Sequence, residues 1–387
     1  MKQENIIFFT QLPPPYAGPE IMTQGFIDYF KKNNFNLIVI KSNIQSSNFQ
    51  KGKISLKGIL KFLLRYIKLL TKLINKNNSK IYLTVACGKV GFLRDFIVIM
   101  TASLFRKKIY IHLHGGNFDN FYQNSGKIFK KLIKTAWGKA NCAIVLSETL
   151  KSSQLINAAP EVHLEIVNNG IKINNFKINK SRKYNKSEYT ICFLGTLCFT
   201  KGFYDLIEVY KKLRNDNINL KINIAGEYPV SKPQLSEFLS DALKSYYMIH
   251  YKEITEEMQK FIDNIKNYNG KYWCVINDEK KSEFFNDSDI FILPSYMEGV
   301  SISMLEAMAH GLPIITTNVG GHKDIIKVSE NGFVIEKGDK NALYEKIKYL
   351  LQNPELCEKM SYNNIKKIEE EFNIEKSAEM LYKTLNQ

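Results

Sequence analysis

The sequence predicts an α/β protein built from two doubly wound parallel sheets. Three observations carry that expectation: apolar runs of strand length alternate with helix-length segments, the alternation comes in two series, and a polar, charged stretch separates them. In the first series NIIFFT, FNLIVI, KIYLTVA, KIYIHLH and CAIVLS read as buried strands. In the second the strands are YTICFLG, LKINIAG, DIFILP and LPIITT. The connector is KINKSRKYNKSEY, whose lysine-rich run from Lys180 to Lys186 reads as a solvated linker. A chain of 387 residues exceeds what one core usually organises. Domains are therefore expected over residues 1–178 and 187–370, with a terminal helical segment over 371–387. In open sheets of this kind ligands collect beyond the carboxyl ends of the strands, so a cleft between the domains is the expected active site.

Composition narrows the class. Hydrophobic residues make up 44% of the chain, ample for two cores. NIIFF is only a short apolar run after Glu4, and Phe96 to Phe105 is too short to span a bilayer, so the protein is expected to stay in the cytoplasm. The cysteines Cys87, Cys142, Cys192, Cys198, Cys274 and Cys357 are scattered without metal-ligand spacing and read as small buried residues, with neither a disulfide framework nor a zinc site.

The most informative segment is DSDIFILPSYMEGVSISMLEAMAHGLPIITTNVGG, Asp287 to Gly321. Ile290 to Leu293 is a buried strand broken by Pro294 and Gly299, and a loop then feeds a helix that Ser301 or Ser303 can cap. The first turn of that helix presents free N–H groups and the positive dipole end, which suit an anion such as a diphosphate; Gly299 and Ser301 are small enough to let it approach the backbone. Glu298 lies at the helix mouth and Glu306 inside the helix, and carboxylates accept hydrogen bonds from the hydroxyls in which sugars are rich. Upstream, Lys201 and Gly202 follow a strand after a short loop, which puts an ammonium at a helix start. A cation at a positive dipole end is unfavourable unless an anion shares the site.

These motifs resemble the retaining glycosyltransferases of family 4, which have the GT-B architecture of two Rossmann-like domains facing a cleft and an E-x7-E motif that binds the donor. Glu298 and Glu306 match that motif, and Gly311 to Gly321, Phe193 to Phe203, Val167 to Phe176 and Ile111 to Gly116 resemble further family segments. The resemblance implies an amino-terminal acceptor domain, a carboxy-terminal nucleotide-sugar domain, a last helix crossing back to the first domain, and no essential metal or cofactor. It implies that a hexose-type sugar passes from a nucleoside diphosphate sugar, expected to be a UDP-sugar, to a cell-surface or lipid-linked glycan. Lys201 would meet the departing diphosphate together with Gly195, Thr196, Gly299, Val300, Ser301, Ile302 and Ser303. Glu298 and His114 would position the donor sugar, Glu306 the ribose, and Gly18 would leave room for donor phosphate or acceptor. Thr196 departs from the family's usual arginine, for which Lys323 is a possible substitute. His112 reads as a packed histidine, as do His310 and His322, with His310 explained by the helix dipole. Two alternatives stay open: a GT-B sugar-nucleotide epimerase, and a non-catalytic scaffold of a glycan assembly complex.

Two signals fall outside the donor site. Asp287-Ser288-Asp289 spells D-x-D, a metal signature elsewhere, but here it immediately precedes a buried strand and reads as turn chemistry. The net charge of +16 exceeds what a nucleotide sugar requires. Lys57, Lys61, Arg65, Lys68, Lys72 and Lys76 recur at helical spacing in a stretch without acids. Leu56, Ile59, Leu60, Leu63, Ile67, Leu70 and Ile74 are expected to pack the other side of that helix on the sheet. The basic side suits an anionic membrane surface, which would hold the protein peripherally on the inner face of the cytoplasmic membrane. No nucleic-acid-binding signature falls on the basic stretch, so nucleic acid is not an expected partner.

Overall fold

The computed structural model describes residues 5–14, 16–43, 56–75, 79–116, 118–154, 161–173, 176, 182–228 and 241–387. Lys76, Lys180, and Asn174 and Asn175 of the interdomain segment lie outside them. Contacts divide the chain into two compact units, Met1–Ile171 with Ile374–Gln387, and Lys172–Asn373.

Six parallel strands form the first unit's sheet: β1 (Ile6–Thr10), β2 (Leu37–Lys41), β3 (Lys80–Thr84), β4 (Lys108–His112), β5 (Cys142–Val145) and β6 (Leu164–Ile166), in the order β2-β1-β3-β4-β5-β6. β1, β3 and β5 are buried along their whole length, because a sheet covered by helices on both faces has no solvent side on which polar residues could alternate. The helices are α1 (Gly18–Lys32), α2 (Leu56–Leu73), α3 (Lys89–Leu104), α4 (Phe118–Gln123), α5 (Lys127–Trp137) and α6 (Glu148–Gln154). The chain steps one way from β1 to β2 and the other way from β3 onward, so right-handed crossovers put α1 on one face and α2, α3 and α5 on the other. The last helix, Ile374–Asn386, packs beside α1: Phe35 stacks on Tyr382 at 4.2 Å, and the Ile374 N–H donates to the Ile171 carbonyl at 3.1 Å.

The second unit repeats the plan with β7 (Tyr189–Leu194), β8 (Leu220–Ala225), β9 (Gly270–Tyr272), β10 (Ile290–Leu293), β11 (Ile314–Thr317) and β12 (Gly332–Ile335), in the order β12-β11-β10-β7-β8-β9. Its helices are α7 (Phe203–Asn215), α8 (Asp241–Asp263), α9 (Asp278–Asn286), α10 (Ile302–Ala309), α11 (His322–Ile325), α12 (Lys340–Gln352) and α13 (Pro354–Glu371). The sheet's growth reverses between β7 and β10, which makes the gap beyond their carboxyl ends the topological switch point. β6, β9 and β12 were not expected from the sequence. They are short edge strands of three or four residues, two of them opening on glycine, and carry too little apolar pattern to read.

Three further expectations are corrected. The first concerns α2, which meets its unit through Gly58, Leu69 and Leu73, with Phe62 and Tyr66 half-buried and the Tyr66 hydroxyl 2.6 Å from Thr101 Oγ1 of α3. Leu56, Ile59, Leu60, Leu63, Ile67 and Ile74, expected against the sheet, are exposed instead. The helix carries two apolar stripes, and periodicity cannot say which of them is covered. Arg65 also leaves the basic side, donating to the Asn43 carbonyl at 2.6 Å. The second is Cys274, which is exposed.

The third is the connector, whose described part packs on the second unit. Tyr184 is fully buried and donates to the Gly311 carbonyl at 2.8 Å. Arg182 donates to the carbonyls of Ser288 and Phe285, and its guanidinium is 3.7 Å from Asp289. Asp289 also takes the Lys186 ammonium at 2.6 Å and the Thr190 N–H at 2.7 Å. The D-x-D sequence is thus spent on anchoring the connector. Asp289→Ala strands the buried Arg182 and is expected to cost about 3 kcal/mol or more, whereas Lys186→Ala, at the exposed end, should cost under about 1 kcal/mol. Urea unfolding followed by the fluorescence of Trp273 in this unit checks the difference; equal effects would sink the account.

Candidate active site

Two loops meet at the switch point of the second unit. Beyond β7 the chain forms one turn of 3-10 helix, Phe199–Lys201, and enters α7 through Gly202, whose φ of 70° is left-handed. A β-carbon at Gly202 would lie 2.0 Å from the Pro294 carbonyl oxygen, so glycine is what lets this loop touch the end of β10. The contact continues with Tyr296, whose N–H donates to the Thr200 carbonyl at 2.9 Å and whose ring stacks on Phe199 at 5.0 Å. Its hydroxyl donates to buried Asp205 at 2.6 Å. The turn after β11 closes the arrangement from the other side. Gly320, with φ of 54°, sits against the carbonyls of Glu298 and Gly299, and the Gly321 N–H donates to the Gly299 carbonyl at 2.8 Å.

These contacts bring Lys201 and Glu298 together. The Lys201 ammonium donates to Glu298 Oε1 at 2.6 Å, and the Ser295 hydroxyl donates to the same oxygen at 2.8 Å. Burial opposes the charge on Glu298, but the attraction of Lys201 and the two hydrogen bonds outweigh it and hold the carboxyl below its ordinary value. His322 lies close enough to add to that attraction when charged. Burial lowers its own value to about 4, however, so near neutral pH the ring is uncharged and contributes only in acid. His322 Nδ1 is 2.8 Å from Thr316 Oγ1, which itself donates to the Leu293 carbonyl.

α10 starts beside this pair. Ser301 caps it by accepting from the Met304 N–H at 3.3 Å, and Ser303 Oγ is 3.0 Å from Ser301 Oγ. Val300, Ile302 and Ser301 are buried, and the first turn leaves backbone N–H groups without intrahelical partners. Further along, Glu306 is buried and accepts from Lys281 of α9 at 2.7 Å. Burial pushes the Glu306 carboxyl up and Lys281 only partly offsets it. For Lys281 the balance is reversed: burial would lower its value, but Glu306 and Asp278 more than compensate and raise it. Gly195 and Thr196 form the exit from β7, half-buried, with the Gly195 N–H donating to the Ala225 carbonyl at 3.1 Å. Lys323 is exposed on the four-residue α11. His310 is corrected in its reason. Burial lowers it to about 4, so its ring is neutral near pH 7, packs on Phe176 and Phe285, and gains nothing from charge at a helix end.

Gly18 and His114 belong to the first unit. Gly18 opens α1, with Ala17 as its N-cap. His114 follows β4 and stacks on His112 with ring centroids 4.1 Å apart. Burial lowers His114 to about 4, with Asn169 opposing the shift only in part, so the ring is neutral at pH 7. His112 is fully buried, and its Nδ1 is 2.7 Å from the Tyr82 hydroxyl, which makes it a packed histidine.

The family description "Glycosyl transferases group 1" matches residues 174–367. The chain belongs to this family. CapM of Staphylococcus aureus, a capsular polysaccharide biosynthesis glycosyltransferase, is 23% identical over 391 residues, which span 94% of this chain and 93% of CapM. Sucrose-phosphate synthase from Thermosynechococcus elongatus shares the fold with a TM-score of 0.74 at 16% identity, over 99% of this chain and 98% of its own. Anabaena HepE, solved with UDP and glucose, has a TM-score of 0.69 at 13% identity, over 99% and 100% of the two chains. The fold of this glycosyltransferase is GT-B.

Sequence reasoning missed Lys281, Ser295, Tyr296 and Asp205 around the glutamates. Ser295 is three residues before Glu298 and could have been suspected; nothing in the sequence ties Lys281 to Glu306 or Tyr296 to Asp205 across long separations. The two glutamates of this glycosyltransferase carry opposite pH signatures. Glu298, held below the ordinary 4.5, adds stability that is full above that pH and lost as pH falls through its lowered value. Glu306, raised above 4.5, adds stability that is full below that pH and lost as pH rises through its raised value. Glu298→Gln should therefore flatten the acid limb of stability, and Glu306→Gln the limb just above it. Urea midpoints across about pH 3 to pH 7 check this, and one limb responding to both substitutions would defeat it.

Proposed function

We propose that this glycosyltransferase is a retaining member of family 4 that uses Glu298 and Glu306 as its E-x7-E pair. It moves a hexose-type sugar from a nucleoside diphosphate sugar, a UDP-sugar by this reading, to a cell-surface polysaccharide or lipid-linked glycan. The observation that carries the proposal is the contact of Lys201 with Glu298, 2.6 Å long, at the switch point beside the start of α10. An ammonium, the carboxylate it pairs with and the free N–H groups of the first turn of α10 gather there, a setting that suits a diphosphate. The complex of HepE with UDP and glucose and the role of CapM in capsular polysaccharide biosynthesis support the donor and acceptor classes.

In the reaction the bond between the sugar's anomeric carbon and the diphosphate oxygen breaks, and a bond to the acceptor oxygen forms on the same face. The acceptor's proton passes to the departing diphosphate. Charge growing on that diphosphate is met by the Lys201 ammonium and by the N–H groups at Gly299 to Ser303, which are fixed before the reaction and so need no reorganisation. Glu298, kept ionised by Lys201, accepts from donor sugar hydroxyls, and Glu306 accepts from the ribose. His114, neutral at pH 7, can exchange hydrogen bonds with a sugar hydroxyl without adding charge. No metal or cofactor has a role in this scheme, and Asp289 is committed to Arg182 and Lys186.

Thermal unfolding with UDP, GDP, TDP and ADP in turn tests the proposal. A ligand at a hundred times its dissociation constant adds about 2.7 kcal/mol. UDP is expected to raise the melting temperature of the wild type and to lose that effect in Lys201→Ala; no shift with any nucleotide would overturn the reading. Where transfer is assayed, Lys201→Ala should lower the rate by roughly 10²–10³, the size of losing one charge-stabilising donor. A loss below about tenfold would remove Lys201 from the role.

A further inference from the structure

α2 exposes an apolar stripe that the donor site does not explain. Leu56, Ile59, Leu60, Leu63, Leu64 and Ile67 fall at i, i+3, i+4, i+7, i+8 and i+11, one continuous face of the helix, and are 46% to 87% exposed. α3, tied to α2 by the hydrogen bond of Tyr66 with Thr101, continues the surface with exposed Val90, Leu93, Ile97 and Leu104. Scattered exposed apolar residues need no explanation, but two adjoining helices showing ten of them form a patch of the kind that marks an interaction surface.

The charges around the stripe identify what covers it. Lys57, Lys61 and Lys68 are exposed along α2, Lys89 opens α3, and α5, on the same face of the sheet, adds exposed Lys127 and Lys131. No acidic side chain is exposed on α2, α3 or α5 among the described residues. The one acid there, Asp95, is buried and accepts from Arg94 at 2.7 Å. Interfaces between proteins lose lysine from their apolar centres. A helix with long aliphatic side chains on one face and lysines along its edge suits a lipid surface, where acyl chains cover the stripe and anionic headgroups meet the ammonium groups. None of the described helices is long and apolar enough to cross a membrane, so the arrangement lies in the interface and does not span it.

We propose that the exposed apolar stripe of α2, continued by α3 and bordered by lysines, inserts into the headgroup region of an anionic bilayer. It thereby seats the first unit of this glycosyltransferase where a lipid-linked acceptor is found. The inference deepens the acceptor side of the function proposed above and rests on it only for the purpose of docking. It differs from a purely electrostatic attraction in that the leucines enter the lipid, so salt alone does not release the protein.

Co-sedimentation with vesicles of phosphatidylcholine mixed with phosphatidylglycerol tests it, alongside vesicles of phosphatidylcholine alone. The wild type should bind the anionic vesicles and retain part of that binding in high salt. Leu60→Ser with Leu64→Ser should weaken it at least tenfold, and Lys57→Gln, Lys61→Gln and Lys68→Gln together should weaken it on the order of a hundredfold. All of these positions are exposed, so the variants should keep their melting temperature and their UDP-induced shift, which separates failure of docking from failure of the donor reading. Leu64→Trp should shift its emission to the blue on adding anionic vesicles. The proposal is overturned if the wild type ignores anionic vesicles, if the serine variant binds as well as the wild type, or if both vesicle types bind alike. It is also overturned if the blue shift appears without lipid as concentration rises and sedimentation shows a dimer, since a second copy would then cover the face.

Discussion

The second unit is organised around one constraint: a lysine and a glutamate 97 positions apart in the chain must be held 2.6 Å apart where the sheet reverses its growth. A half-buried ammonium and a nearly buried carboxylate lose water on approaching, and only good geometry and further hydrogen bonds offset that loss. Glycine at 202 lets one loop reach Pro294, the hydroxyl of Tyr296 fastens the next loop to Asp205, and the glycine turn at 320 closes on the carbonyls of Glu298 and Gly299. Each of these serves the same end, which is to fix the ends of β7, β10 and β11 against one another.

Within this frame the two glutamates have different electrostatic characters. Glu298 is kept charged by an ammonium and a hydroxyl on one oxygen, while Glu306 is raised by its burial in α10 and only partly relieved by Lys281. The histidines are the counterpart: His114, His310 and His322 are all lowered to about 4 by burial, so near neutral pH they are uncharged hydrogen-bonding groups. The positive charge beside the two glutamates therefore comes from Lys201 and Lys281.

The first unit shows how little periodicity alone says about burial. α2 has an apolar stripe through Gly58, Phe62, Tyr66, Leu69 and Leu73 that packs within its unit and a larger aliphatic stripe that does not. The covered stripe is the one with buried Gly58 and the half-buried rings of Phe62 and Tyr66. The same geometry turns Arg65 inward to the Asn43 carbonyl and leaves the lysines outside, which makes the outer surface at once apolar and basic.

The sequence by itself determined the α/β class and nine of the twelve strands among the described residues, because strands buried on both faces are continuous apolar runs that need no tertiary context to be seen. The strand-loop-helix pattern also points to Ser301 as a cap of α10, which it is, whereas Lys201, Glu298 and Glu306 are singled out through a family resemblance and not by spacing alone. Tertiary structure decided what local pattern does not encode. The pairing of Glu306 with Lys281 and the coupling of Tyr296 to Asp205 arise from strand order. The edge strands β6, β9 and β12 are too short to have a period. Arg182 and Lys186 of the connector look solvated until Asp289, about a hundred residues further on, is folded against them. The covered side of α2 was likewise settled by packing: both of its stripes are apolar, and which one is buried depends on the shape of what it meets.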